Sequence, residues 1–120
     1  MANKFLFCSS ILIGIIHVVS IFVLDYGNIF MKLIMMTGVI TSILNHGLTS
    51  NVFKNLDRFY MRFAFLVEAY INFNTSSMYL MTSSGLTYFL SKLVYTNIAR
   101  DIIHLIAHLL ITASHVLLMI

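Results

Sequence analysis

The sequence predicts an all-α fold, a polytopic bundle of transmembrane helices, and three observations predict it. Of the 120 residues 60% are hydrophobic and only 9% charged, with a mean hydropathy of +0.96. A soluble domain is about one-quarter charged, so this chain cannot cover its own surface with polar groups. At 13.7 kDa it is also too short to hide that much apolar surface in one aqueous core. Apolar runs approaching the ~20 residues needed to cross a bilayer recur along it, separated by short polar breaks. The basic residues, finally, gather on one side of the resulting zigzag.

The first run, 5–24, is bounded by Lys4 and Asp25. A cleaved leader is the rival reading, but its apolar region is shorter and an Ala-x-Ala-like site should follow, so a retained span is expected. The second span is 33–48, with Lys32 at its outer edge, where its stem can snorkel. The third, 59–73, is weaker because it carries Arg62 and Glu68. A break at Asn72, Asn74, Thr75 and Ser76 precedes the fourth, 78–95, and the fifth is 102–120. Asn74-Thr75-Ser76 is sequon-like but lies too near the membrane for glycosylation to be expected. No repeat or linker divides the chain, so residues 1–120 are read as one transmembrane domain.

Orientation follows from charge. With the N-terminus cytoplasmic, Lys4, Lys54, Arg58, Arg62, Lys92 and Arg100 fall on the cytoplasmic side, six of the seven Lys and Arg, and only Lys32 falls outside. A four-span alternative, with 59–80 as one crooked helix, moves Lys92 and Arg100 across the membrane. The net charge of +3 is therefore a topology signal. Nucleic acid is not an expected partner, because the basic residues do not cluster with aromatics on a polar face. Cys8 is the single cysteine, which excludes an intramolecular disulfide, and its apolar neighbours mark it as a small buried hydrophobe.

Ionisable groups inside a span cost about 2.5 to 3.5 kcal/mol each at mid-membrane and normally face the protein interior. Glu68 is therefore expected to face the bundle interior, paired with Lys92 or a histidine. His17 and His115 share a depth in the outer half; bonding between helices is the simpler reading, and haem ligation by the pair the sharper one. His46, Asp57, His104 and His108 fall together in the inner leaflet, although they are distant in sequence. His104 and His108 are i and i+4, so both rings lie on one helix face, as two ligands of one metal require. Ser42 stands one turn from His46 on the same face. Three neutral imidazoles and a water make a zinc site with an open position, and a nearby carboxylate can orient that water or take its proton.

Ser42-Ile-Leu-Asn-His46, then Leu56-Asp57, then His104-Leu-Ile-Ala-His108 resembles the signature of the alkaline ceramidase and adiponectin/progestin receptor superfamily. Its members are seven-helix membrane proteins with a zinc held by three histidines near the cytoplasmic side. The resemblance implies a shortened member, with room for five spans. It implies His46, His104 and His108 as zinc ligands, Asp57 as partner of the zinc-bound water, and Ser42 as polar support. The implied activity is hydrolysis of a lipid amide such as a ceramide, with membrane lipid as partner; separately, an endomembrane location is expected, without a named organelle. A different class of function is also open: a non-enzymatic subunit or scaffold, binding a membrane-protein partner or a second copy of itself, in which the polar residues only lock helices together.

Overall fold

In a computed structural model the chain is all helical over the described residues, 3–73 and 75–120. Asn74, the first residue of the sequon-like triplet, lies outside them. Five helices follow in order: α1 Lys4–Val23, α2 Ile29–Gly47, α3 Asn51–Ile71, α4 Ser76–Leu93 and α5 Asn97–Met119. Asparagines open the first two. Asn3 and Asn28 accept from the amides of Leu6 and Met31 at 3.0 and 3.1 Å, satisfying donors that a helix start leaves unpaired. Between α1 and α2 the chain reverses through Asp25, held at φ 47°, a left-handed conformation that aspartate tolerates better than most residues.

Helices α1, α2 and α5 are long and apolar enough to cross a membrane; α3 and α4 do not meet that standard. The reasons are local. Helix α3 carries five charged residues, and α4 is diluted by serine and threonine. Three helices also start at least four residues earlier than hydropathy places them, α2 at Ile29 instead of 33, α3 at Asn51 instead of 59 and α5 at Asn97 instead of 102. Hydropathy reports where apolar side chains begin, whereas backbone hydrogen bonding continues through Lys54, Asp57, Arg58, Arg100 and Asp101. Asp57 therefore stands well inside α3 instead of opening it.

The helices alternate in direction. The start of α1 meets the end of α2 where the Asn3 amide donates to the His46 carbonyl at 3.1 Å, and the start of α5 joins them through Asn3 Nδ2 and Asp101, 3.2 Å apart. At the other end, Met119 packs with Met31, Ile34, Met35 and Ala64. Laterally, α1 lies between α2 and α5, with α3 on the outer side of α2 and α4 along α5. Helices α3 and α4, consecutive in sequence, do not pack extensively on each other.

Small residues set the close approaches, as expected where both helix faces are apolar and only packing distinguishes them. A Cβ on Gly14 would lie 2.9 Å from Val39 Cγ1, and one on Gly47 2.8 Å from the Phe7 ring. Between α4 and α5 the contact is made by serines. Ser77 and Ser114 share a 2.7 Å hydroxyl contact, and Ser84 donates to the Ala107 carbonyl at 2.7 Å. Ser77, Ser84 and Ser91 recur every seven residues on α4 and are all buried, a polar seam that keeps the two helices in register. Val39 is stiff at χ1 and has little room to move aside. Gly14→Val should therefore cost about 1 to 3 kcal/mol of stability, read as a lower thermal midpoint in detergent. An unchanged midpoint would show that α1 and α2 can separate without loss.

Candidate metal centre

Three elements bring the site together. His46 is at the last turn of α2, and His104 and His108 are one turn apart on α5. One ring nitrogen from each lies within 4.8 Å of the others, close enough to hold a metal ion. The His46 ring centroid is 5.1 Å from that of His104 and 5.7 Å from that of His108, and the α5 pair are 4.6 Å apart. His46 and His104 are buried. His46 Nε2 and His108 Nδ1 are both buried with no hydrogen-bond partner among the described residues. Buried ring nitrogens that serve only structure are normally paired. Unpaired donor atoms converging from two helices are what a cation site requires.

Asp57 stands at the edge. Its Oδ2 accepts from Asn45 Nδ2 at 2.7 Å, while Oδ1 is buried and unpartnered. Asn45 is the residue before His46, so one turn of α2 supplies both a histidine of the triad and the amide that orients the carboxylate. Ser42 Oγ lies 3.0 Å from Ser10 Oγ on α1. A recess of about 20 Å³ is walled by Ser42, Asp57, Tyr88, His104 and His108, room for about one water. Every residue that the sequence nominated for this site therefore lies at or beside it. Three that were not nominated join them: Asn45, Ser10 and Tyr88. The Tyr88 ring meets His104 edge-on, 5.0 Å between centroids and 86° between planes. Position next to His46 was the only advance signal for Asn45, and nothing in α1 or α4 pointed to Ser10 or Tyr88.

The recess gives onto a far larger cavity of about 870 Å³, with Ser42, Tyr88 and His108 lining both. All five helices contribute, and α3 and α4 contribute most. Its walls are largely apolar, with Ile13, Met35, Val39, Phe65 and Phe89 among them. Helices α3 and α4, which pack so little on one another, form most of its wall.

A second polar cluster lines this cavity farther along α5. His17 Nδ1 lies 2.8 Å from the Ile13 carbonyl, its Nε2 2.8 Å from His115 Nδ1, and His115 Nε2 2.9 Å from Glu68 Oε1. Glu68 thus faces the interior, as expected, and its partner is a histidine rather than Lys92. His17 and His115 bond directly to each other between helices. The three groups are joined end to end through both nitrogens of each ring. They do not converge on one point, so the histidine triad is the group among the described residues placed to hold an ion.

Comparison with family models, curated proteins and solved structures returned no match to this chain.

Proposed function

We propose that this protein is an integral membrane hydrolase with a zinc ion held by His46, His104 and His108, acting on a lipid amide. The observation that carries the reading is the close approach of His46, His104 and His108, with a buried unpaired nitrogen on His46 and on His108, beside an equally unpaired Asp57 Oδ1. Points no more than 4.8 Å apart share a centre about 2.8 Å or less from each, so modest ring movements reach the ~2.0–2.1 Å of zinc–nitrogen bonds. The resemblance of the Ser42–His46, Asp57 and His104–His108 segments to the ceramidase-like superfamily supplies the amide. The apolar cavity beside the triad supports a substrate with a hydrocarbon chain. Five spans with a cytoplasmic N-terminus belong to the same proposal, supported by the alternating helices and the six basic residues at one end.

Each residue then has a task. The three histidines, from two helices, would hold the ion beside the recess. An ion bound there would supply Lewis-acid activation of a water and of the amide carbonyl. Asp57 Oδ1 takes the proton from that water and passes it to the leaving amine. Asn45, donating to Oδ2, fixes the carboxylate so that Oδ1 points inward. Ser42, held by Ser10, presents a hydroxyl to the carbonyl oxygen. The cavity aligns the acyl chain and keeps bulk water away.

Asp57→Asn tests the assignment, because it keeps shape and removes the base. Hydrolysis of a fluorogenic ceramide by the zinc-loaded protein in detergent should fall about 10²- to 10⁴-fold, with bound zinc unchanged. Full activity in this variant would remove Asp57 from the mechanism. No hydrolysis by wild type, with zinc bound, would favour the scaffold role instead. That second reading draws on the Ser77–Ser114 seam and the Glu68–His115–His17 chain, where buried polar groups do join helices.

A further inference from the structure

Three basic side chains line the large cavity: Arg58 and Arg62 from α3 and Lys92 from α4. The arginines are i and i+4, so they share one face of α3. Lys92 stands in the last turn of α4, its ammonium 4.6 Å above the Tyr88 ring, the same ring that meets His104. The cations therefore line the α3 and α4 walls of the cavity, toward the end that holds the histidine triad. Among the described residues none of the three has a carboxylate within 4 Å, the single such pair being His115 with Glu68. Glu68, the acidic residue in the cavity wall, is bonded to His115, and Asp57 in the adjoining recess accepts from Asn45 through Oδ2.

All three side chains are exposed, yet they gather on one cavity without a carboxylate partner, and a bound metal ion would add to the excess of positive charge. Charge of this kind normally has an anionic counterpart. Two arginine forks and one ammonium are the donor types suited to a phosphate, which accepts several charge-assisted hydrogen bonds at once. The apolar remainder of the cavity matches acyl chains.

We propose that the cavity binds a lipid with an anionic, phosphate-bearing headgroup, held by Arg58, Arg62 and Lys92. The proposal names the headgroup class of the ligand. It rests on the cavity being a lipid site, as in the function proposed above, but not on a bound metal or on hydrolysis. The competing explanation is a general ring of cations at the membrane edge. Lys4, Lys54 and Arg100 provide the control, since they lie toward the same end of the bundle but do not line the cavity.

Native mass spectrometry of the intact protein in neutral detergent can compare phosphatidic acid with phosphatidylcholine of identical acyl chains. Wild type should bind phosphatidic acid about tenfold or more tightly. The R58Q/R62Q/K92Q variant should bind both lipids alike and keep wild-type helicity by circular dichroism. The K4Q/K54Q/R100Q variant should keep the preference. His108→Ala should keep it too, so loss of the metal site and loss of the headgroup site read out separately. Equal binding of the two lipids by wild type would overturn the proposal, as would a preference that survives R58Q/R62Q/K92Q. Abolition of the preference by K4Q/K54Q/R100Q would assign it to the membrane-edge ring. Displacement of phosphatidic acid by millimolar inorganic phosphate would overturn the lipid part, leaving a site for free anions.

Discussion

Purified protein loaded with zinc and passed through a desalting column should retain about one ion per chain by elemental mass spectrometry, and His108→Ala should retain almost none. Two histidines and water hold a divalent ion far more weakly than three. Loss of a supporting group beside a ligand already costs about 10- to 100-fold in affinity, so loss of a ligand should cost more. His108 is the informative choice because its Nδ1 is buried without a partner. Replacing it removes an unsatisfied group and breaks no hydrogen bond made through that nitrogen, so metal loss should come without unfolding. His115→Ala is the control, since that ring belongs to the other cluster and should leave zinc content unchanged. Equal zinc in wild type and His108→Ala would show that the triad does not hold the ion.

Glu68→Ala should destabilise the protein by about 2 to 4 kcal/mol, with Glu68→Gln losing less than half as much. The hydrogen-bond sequence explains the difference. The Ile13 carbonyl can only accept, so His17 Nδ1 carries a proton. With His17 neutral, its Nε2 accepts from His115 Nδ1, and one further proton lies between His115 Nε2 and Glu68. Glutamine can place its amide N–H where that proton was and leave every other bond in place. Alanine leaves His115 Nε2 unsatisfied and opens a hole among helices α1, α3 and α5. Hydrogen bonds between membrane helices average only about 0.6 kcal/mol. The larger figure is expected because Glu68 is 3% exposed and its loss strands a buried partner, a change that costs about 3 to 5 kcal/mol in buried ion pairs. Unfolding in mixed micelles measures both variants. If Glu68→Gln proved as unstable as Glu68→Ala, the shared proton would not be the reason, and a loss below about 0.5 kcal/mol for Glu68→Ala would mean that the chain does not lock the bundle.

Sequence alone determined the material and much of its placement. Composition pointed to lipid around the chain, in keeping with three helices long and apolar enough to cross a membrane, and the polar breaks counted out five helices. The i to i+4 spacing of His104 and His108 put both rings on one face of α5, because helical periodicity is a local property of consecutive residues. The expectation that His46 and Asp57 share one end of the bundle with His104 and His108 followed from alternating helix directions and the rise per residue. What only the tertiary structure decided was which faces meet. In water the buried face of a helix is the apolar one. In this chain Phe22 and Ile29 are apolar and outward while Ser91 and Ser114 are fully buried, so hydropathy does not reveal how each helix is rotated about its axis. That rotation selects His115 instead of Lys92 as the partner of Glu68, aims Asn45 at Asp57, brings Ser10 to Ser42, and leaves α3 and α4 far enough apart to enclose a cavity. Each of these contacts joins residues on different helices, and its energy depends on side chains no single helix contains.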